Sequence, residues 1–392
     1  MRHLLQILPG RVLHCAPPHL IVEFPPDDQP RPNAILQSPR GALVEIAGHL
    51  NPTESLGILR RGPCPAPDDR LTPHPDLVLP TTDALWGQTL TPCRAPSPPP
   101  ADLPSAALAI PRQIAPPPDL QPAGQWPLGH PGLDLLAPLM AGCTLTLIGD
   151  DPAALAAVAA AHLPHAARMA DARLLWISGR PLGALPPDLD PARAVHLRLG
   201  EGPGEAALLL RAALALAEDA SARGHRLLVV LDDPIDALLA WKLTEARGAA
   251  LAAPMALQHL QDALAALSRH PQRALVALFH DDPLRLGQLA PRFDPAAYFD
   301  AAACFEGRRL LPLEARTSLT PHLDDDLRRA AERCRALLVP LTALDDHASV
   351  FGEDELDDHL RDDLGRQRRL LDLLSSPPER PTDLTSLAEL GL

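Results

Sequence analysis

The sequence predicts a multidomain α/β protein with a small N-terminal β-barrel, a central α/β core and a helical C-terminal domain. Three observations carry the prediction. Residues 5 to about 95 hold short alternating or apolar runs split by Gly and Pro, the pattern of small antiparallel β structures. From about 128 strands alternate with helices, and after about 322 the pattern is helical. Alternation of that kind puts a parallel sheet between two layers of helices.

In chain order, barrel strands are expected at Gly10–Cys15, His19–Phe24, Ala42–Ala47 and Leu77–Pro80. The stretch from Cys93 to Pro104 is proline-dense and reads as an extended linker. In the core, the strand Leu145–Ile148 precedes an Ala-rich helix from 153. Leu174–Ile177 and Val195–Leu199 are further strands, and Ala206–Ala222 is a helix. Arg226–Leu231 is a short buried strand ending in Asp232-Asp233, and Ala274–Phe279 is another. A turn near Phe351-Gly352 precedes a charged helix from Leu356 to Leu374, where Arg366, Arg368 and Arg369 suit the C-terminal dipole. The expected divisions are a barrel over 1–95, a Pro-rich linker over 96–127, a core over 128–315 and a helical domain over 316–392.

A chain of 392 residues that is 46% apolar can bury a sizeable core. Its 48 prolines exceed ordinary usage more than twofold; drift towards GC-rich codons and loop rigidity explain them equally well. A net charge of −14 argues against a nucleic-acid partner, which needs a concentrated basic surface. The six cysteines are scattered with no C-x-x-C pair, so reduced thiols are expected rather than a disulfide framework or a zinc site. No secretory leader is expected, and Arg211 interrupts the best apolar run, Ala206 to Ala217, so no membrane span is expected either.

Short motifs in a fixed order carry a resemblance. Gly10–Pro26 reads G-R-V-L-H-C-A-P-P-H-L-I-V-E-F-P-P, Leu59–Gly62 reads L-R-R-G, and Leu77–Gly87 reads L-V-L-P-T-T-D-A-L-W-G. Leu133–Pro138 reads L-D-L-L-A-P, Gly352–Leu356 reads G-E-D-E-L, and Leu373–Pro377 reads L-L-S-S-P. Together they resemble the beta subunit of F-type rotary ATP synthases over nearly the whole chain. That resemblance implies a P-loop-NTPase-like (RecA-like) core. It also implies hexamers alternating with alpha-like subunits, a central-stalk partner facing Asp354, Glu355 and Leu356, and a helical domain cut short at Leu392.

The same resemblance locates the chemistry and finds it missing. The phosphate loop falls on Gly149, Asp150, Asp151, Pro152, Ala153, Ala154, Leu155 and Ala156. A working loop uses glycines so that backbone N–H groups cradle phosphate, a Lys for charge and a Thr hydroxyl for magnesium. Here only the first glycine matches, Leu155 takes the Lys position and Ala156 the Thr position. Lys242 is the chain's sole lysine, and no arginine lies between Gly149 and Arg168. Asp151 and Pro152 instead make a competent helix start. Two carboxylates there would repel a triphosphate by about 4 kcal/mol per close pair at an effective dielectric of about 20. Arg180 replaces the general-base Glu, and Pro181 the phosphate-contacting Arg. Asp232, at the Walker B position, could hold magnesium through water; as a plain strand-end carboxylate it needs no such role. Tyr298 lies ahead of the place where the family puts its adenine-stacking Tyr. Asp324–Asp326 reads as a helix cap.

The expectation is therefore a non-catalytic, beta-like subunit that binds neither ATP nor magnesium and serves ring assembly beside alpha-like or beta-like subunits. It would be cytoplasmic or peripheral at the inner face of a bacterial membrane. A divergent active beta subunit and a free-standing assembly or adaptor protein are the alternatives.

Overall fold

A computed structural model describes residues 9–74, 78–92, 107–109, 123–149, 152–179, 190–199, 205–233, 249–280, 296–299, 314–315, 323–338, 348, 350, 352 and 356–374. The N-terminal strands are β1 (Gly10–Ala16), β2 (His19–Glu23), β3 (Ile35–Gln37), β4 (Leu43–His49), β5 (Glu54–Arg61) and β6 (Arg70–Pro73). They close into an antiparallel barrel in the order β1-β2-β5-β4-β3-β6. Alternate residues point inward, as period-two side chains must. Val12, Leu20, Val22, Phe24, Val44 and Ile46 thus meet in the barrel's apolar interior. Gly62 ends the L-R-R-G turn at φ +91°, and a Cβ there would come within 2.8 Å of the Ala42 Cα. The turn therefore requires glycine.

The second layer is an eight-stranded sheet. Its strands are β8 (Thr89–Leu90), β12 (Thr144–Gly149), β13 (Arg173–Ser178), β14 (Ala194–Arg198), β15 (Leu227–Asp232), β16 (Arg273–His280), β17 (Ala296–Phe299) and β18 (Glu314–Ala315). The order is β18-β17-β12-β16-β15-β13-β14-β8, parallel throughout except for the β17–β18 pair. Strands buried on both faces read as unbroken apolar runs rather than alternating ones, which is why L-L-V-V-L and A-L-V-A-L-F look as they do.

Helices cover both faces. α1 is Pro131–Leu136, α2 Pro152–Met169, α3 Glu205–Ala222 and α4 Ala249–Ser268. α2 packs its Leu155, Ala159 and Leu163 against Leu147, Trp176 and Val230. On the opposite face α3 and α4 cover Ile177, Val229 and Phe279. Two further helices, α5 (Asp325–Leu338) and α6 (Asp358–Leu374), meet α1 through Leu135, Leu136, Cys334 and Leu370. Asp325 and Asp326 open α5, pairing with Arg328 and Arg329 one turn on, and the Asp324 carbonyl accepts from the Arg328 N–H at 2.8 Å.

Three expectations need correction. Cys15 and Cys64 are joined in a disulfide; nothing in the spacing suggested it, because the barrel brings together residues 49 positions apart. The expected barrel over 1–95 stops short: Val78–Pro80, expected as a barrel strand, pairs outside it with Ala107–Ala109, and β8 belongs to the core sheet, where it pairs with β14. The interval 96–127 is not all linker, since β9 (Ala107–Ala109) pairs with β7 (Val78–Pro80) and β10 (Ala123–Gln125) with β11 (Met140–Ala141). Among the described residues no helix is long and apolar enough to cross a membrane.

Candidate functional site

In an open parallel sheet, ligands bind beyond the carboxyl ends of the strands, at the point where the winding reverses. That point lies at β12. The chain leaves β12 through α2 on one face, and later comes back through α3 and α4 on the other. The carboxyl edge is read from the register. Gly149 sits beside His280 and Phe299, while Asp232 sits between Leu278 and Ser178. The G-D-D-P segment thus begins where a phosphate-binding turn would be needed.

The residues there do not fit that use. Gly149 ends β12 and Pro152 opens α2. Leu155 is 3% exposed and packs into the apolar layer beneath α2. The position that resemblance gives to a phosphate-binding lysine is therefore a core position, facing the sheet. Ala156 follows it within α2. Asp150, Asp151 and Arg180 lie outside the described residues.

Asp232 is the last residue of β15 and partly exposed; its carbonyl accepts from the Gly179 N–H at 2.7 Å. Asp233 follows at φ +28°, a backbone state that costs a non-glycine residue. Among the described residues no group of three or more His, Cys, Asp or Glu is placed to hold a metal ion. Tyr298 lies in β17, beside Ile148 of β12. Leu356, expected to face a central stalk, is 4% exposed and so packs within this chain. Asp354 and Glu355 lie outside the described residues.

Three polar constellations escaped the sequence reading. The first is a pair at the carboxyl edge: Ser178 Oγ and His196 Nε2 are 2.9 Å apart. A nucleophile and its base have that spacing. Here both side chains are sealed, at 0% and 4% exposure. Burial pushes the His196 pKa down to about 4, with Arg198 adding to the shift. The pair is a satisfied hydrogen bond inside the sheet, and a histidine within the apolar run A-V-H-L-R was the signal for it.

The second lies where barrel and core meet. Glu45 of β4 accepts from Arg60 Nε of β5 at 2.9 Å and from Arg211 of α3 at 3.0 Å. All three are buried, at 2%, 2% and 6% exposure. Nearby, Thr82 donates through Oγ1 and its backbone N–H to Asp219 of α3, at 2.6 and 2.9 Å. Desolvation would raise the Asp219 pKa, but hydrogen bonds from Arg223 and Thr82 outweigh it and hold the carboxylate below its usual range. Arg223 also donates to Asp83 at 2.9 Å. Arg211 and Asp219 lie about two turns apart on α3, and Arg223 follows just past its end.

The third surrounds α1. Asp134 accepts from the N–H groups of Leu128 and Gly129 at 2.7 and 2.8 Å. Burial nevertheless pushes its pKa up to about 7, against the pull of those donors. His162 stacks edge-on against His130 at 5.1 Å and sits 3.1 Å from the Leu128 carbonyl through Nδ1. Burial lowers its pKa to about 4.

No protein-family model matches this chain, and a search of curated proteins finds no match to it.

Proposed function

We propose that this chain is a non-catalytic, beta-like subunit of a rotary F-type ATPase-like complex, with a structural or regulatory role in ring assembly and with ATP hydrolysis and synthesis lost. In this reading the sheet is a RecA-like core, and the helices after residue 316 form its C-terminal domain. The observation that carries the reading is Leu155, 3% exposed within the apolar layer under α2, at the position where a working phosphate loop needs a lysine. A leucine there supplies no charge to a phosphate and adds to the core instead. The scaffold around it supports the same reading. A closed six-stranded barrel precedes a doubly wound sheet, and a buried ion pair between Glu45 and Arg211 holds one to the other. Selection for assembly needs those parts and not the loop.

The partners are alpha-like or beta-like rotary ATPase subunits, with a central-stalk subunit as a further one. The location is cytoplasmic or peripheral at the inner face of the membrane. The test is native mass spectrometry of the chain co-expressed with the alpha-like and beta-like subunits of its own cell. A defined complex in which this chain takes a beta-like place supports the proposal. A chain that stays monomeric beside every one of them refutes it.

A further inference from the structure

The barrel closes through its thinnest seam. β4 and β5 pair at six positions. β6 pairs with β1 only at Gly10–Leu71 and Arg11–Arg70, and with β3 only at Leu36–Pro73 and Gln37–Thr72. The loop 62–69 that leads into β6 crosses β1 first. The Val12 N–H donates to the Asp69 carbonyl at 3.0 Å, and the Asp68 N–H donates to the Val12 carbonyl at 2.8 Å. The ion pair between Arg11 and Asp68 is solvent-exposed, at 52% and 79%, and such pairs hold little. One covalent bond spans this seam: Cys64 in the loop is joined to Cys15 near the end of β1. Both residues are only half-buried, and Cys15 rests at the margin of the barrel's apolar interior. A small dithiol can reach them.

We propose that the Cys15–Cys64 bond is a redox clasp, whose reduction frees loop 62–69 from β1 and loosens the β1–β6 seam while β2, β5 and β4 stay paired. The chemistry is thiol–disulfide exchange with a dithiol. One thiolate of the reductant attacks one sulfur and displaces the other as a thiolate, which takes up a proton. The second thiol of the reductant then closes its own disulfide and releases the remaining cysteine, so that two electrons pass to the cystine. Loosening the seam bares strand edges on β1 and β6, and bare edges pair with other chains. Leu71, fully buried, keeps β6 attached, so the change is a local opening. The clasp rests on the barrel's geometry alone and stands or falls separately from the proposed role in ring assembly.

The experiment is hydrogen exchange of the full chain, oxidised with glutathione disulfide and then reduced with dithiothreitol. Mass mapping of non-reduced, alkylated peptides reads the bond itself. The expected result is a Cys15–Cys64 cross-link in the oxidised chain. On reduction, residues 67–73 exchange about tenfold faster or more, residues 54–61 do not change, and reoxidation restores protection. Cys64→Ser shows the fast exchange without reductant, and Cys143→Ser, in the core, retains the redox response. Free thiols at Cys15 and Cys64 after oxidation, or unchanged exchange over 67–73 on reduction, would overturn the proposal. If Cys64→Ser does not fold, the wild-type comparison decides alone.

Discussion

Two regions of this molecule treat charge in opposite ways. At the barrel–core junction a carboxylate and two guanidinium groups are buried together, joined by contacts of 2.9 and 3.0 Å. At the carboxyl end of the sheet, the helix that follows β12 buries Leu155 where resemblance to a nucleotide-binding subunit calls for a cation. Burying ions is costly unless each finds its partners. A buried cluster of that kind is favourable only while its members stay together, so Glu45 and Arg211 fix the barrel against the core.

The sharpest way to break the contrast is to remove a charge from the first region. Glu45→Ala leaves Arg60 and Arg211 buried without their shared carboxylate. It should cost about 3–5 kcal/mol, read as a drop in the denaturant midpoint. The mirror experiment adds a charge to the second region. Leu155→Lys forces an ammonium into the layer under α2 and should cost about 3 kcal/mol without creating ATP affinity. Calorimetry on the refolded variant checks the second half of that statement.

Proton linkage comes next. The His162 pKa falls to about 4 on folding from an ordinary 6.5. A lowered pKa means the folded state favours the neutral ring, so stability is lost as pH drops from 6.5 through about 4. The full effect amounts to about 3 kcal/mol at most. His196 adds a loss of the same sign in the same window. Asp134 runs the other way: raised from 3.8 to about 7, it contributes stability at low pH that is lost as pH rises through 7. Urea melts from pH 7.5 to 4.5 should therefore show a shallower acid-side loss for His162→Gln than for the wild type. A smaller effect is expected where Thr82 meets Asp219 of α3. Asp219→Asn weakens the hold on Thr82 and Arg223 and should cost about 1–2 kcal/mol. Arg11→Ala, on the exposed barrel surface, should leave the melting temperature unchanged.

Much of the fold was legible because parallel strands buried on both faces announce themselves as apolar runs. Leu145–Ile148 and Leu174–Ile177 sit inside β12 and β13, and Ala274–Phe279 inside β16. Strand order was not legible. β12 lies between β16 and β17, partners separated from it by more than a hundred residues, and no local pattern encodes that choice. β8 has two residues and carries no period to read. Arg211 shows the limit most clearly. In the sequence it interrupts an apolar run, whereas in the fold it is 6% exposed and paired with Glu45, 166 positions away. The Cys15–Cys64 bond was invisible for the same reason. At the candidate site, G-D-D-P and Leu155 could be read from the sequence, but the burial of Leu155 needed the packing of α2.

The central claim is that the carboxyl end of this sheet has no phosphate site. Isothermal calorimetry of the purified full chain with ATP and magnesium tests it most directly. The account predicts no saturable heat up to millimolar nucleotide, with the chain folded by circular dichroism in the same buffer. Saturable binding at micromolar ATP would contradict it and return Gly149, Arg180 and Asp232 to a working site.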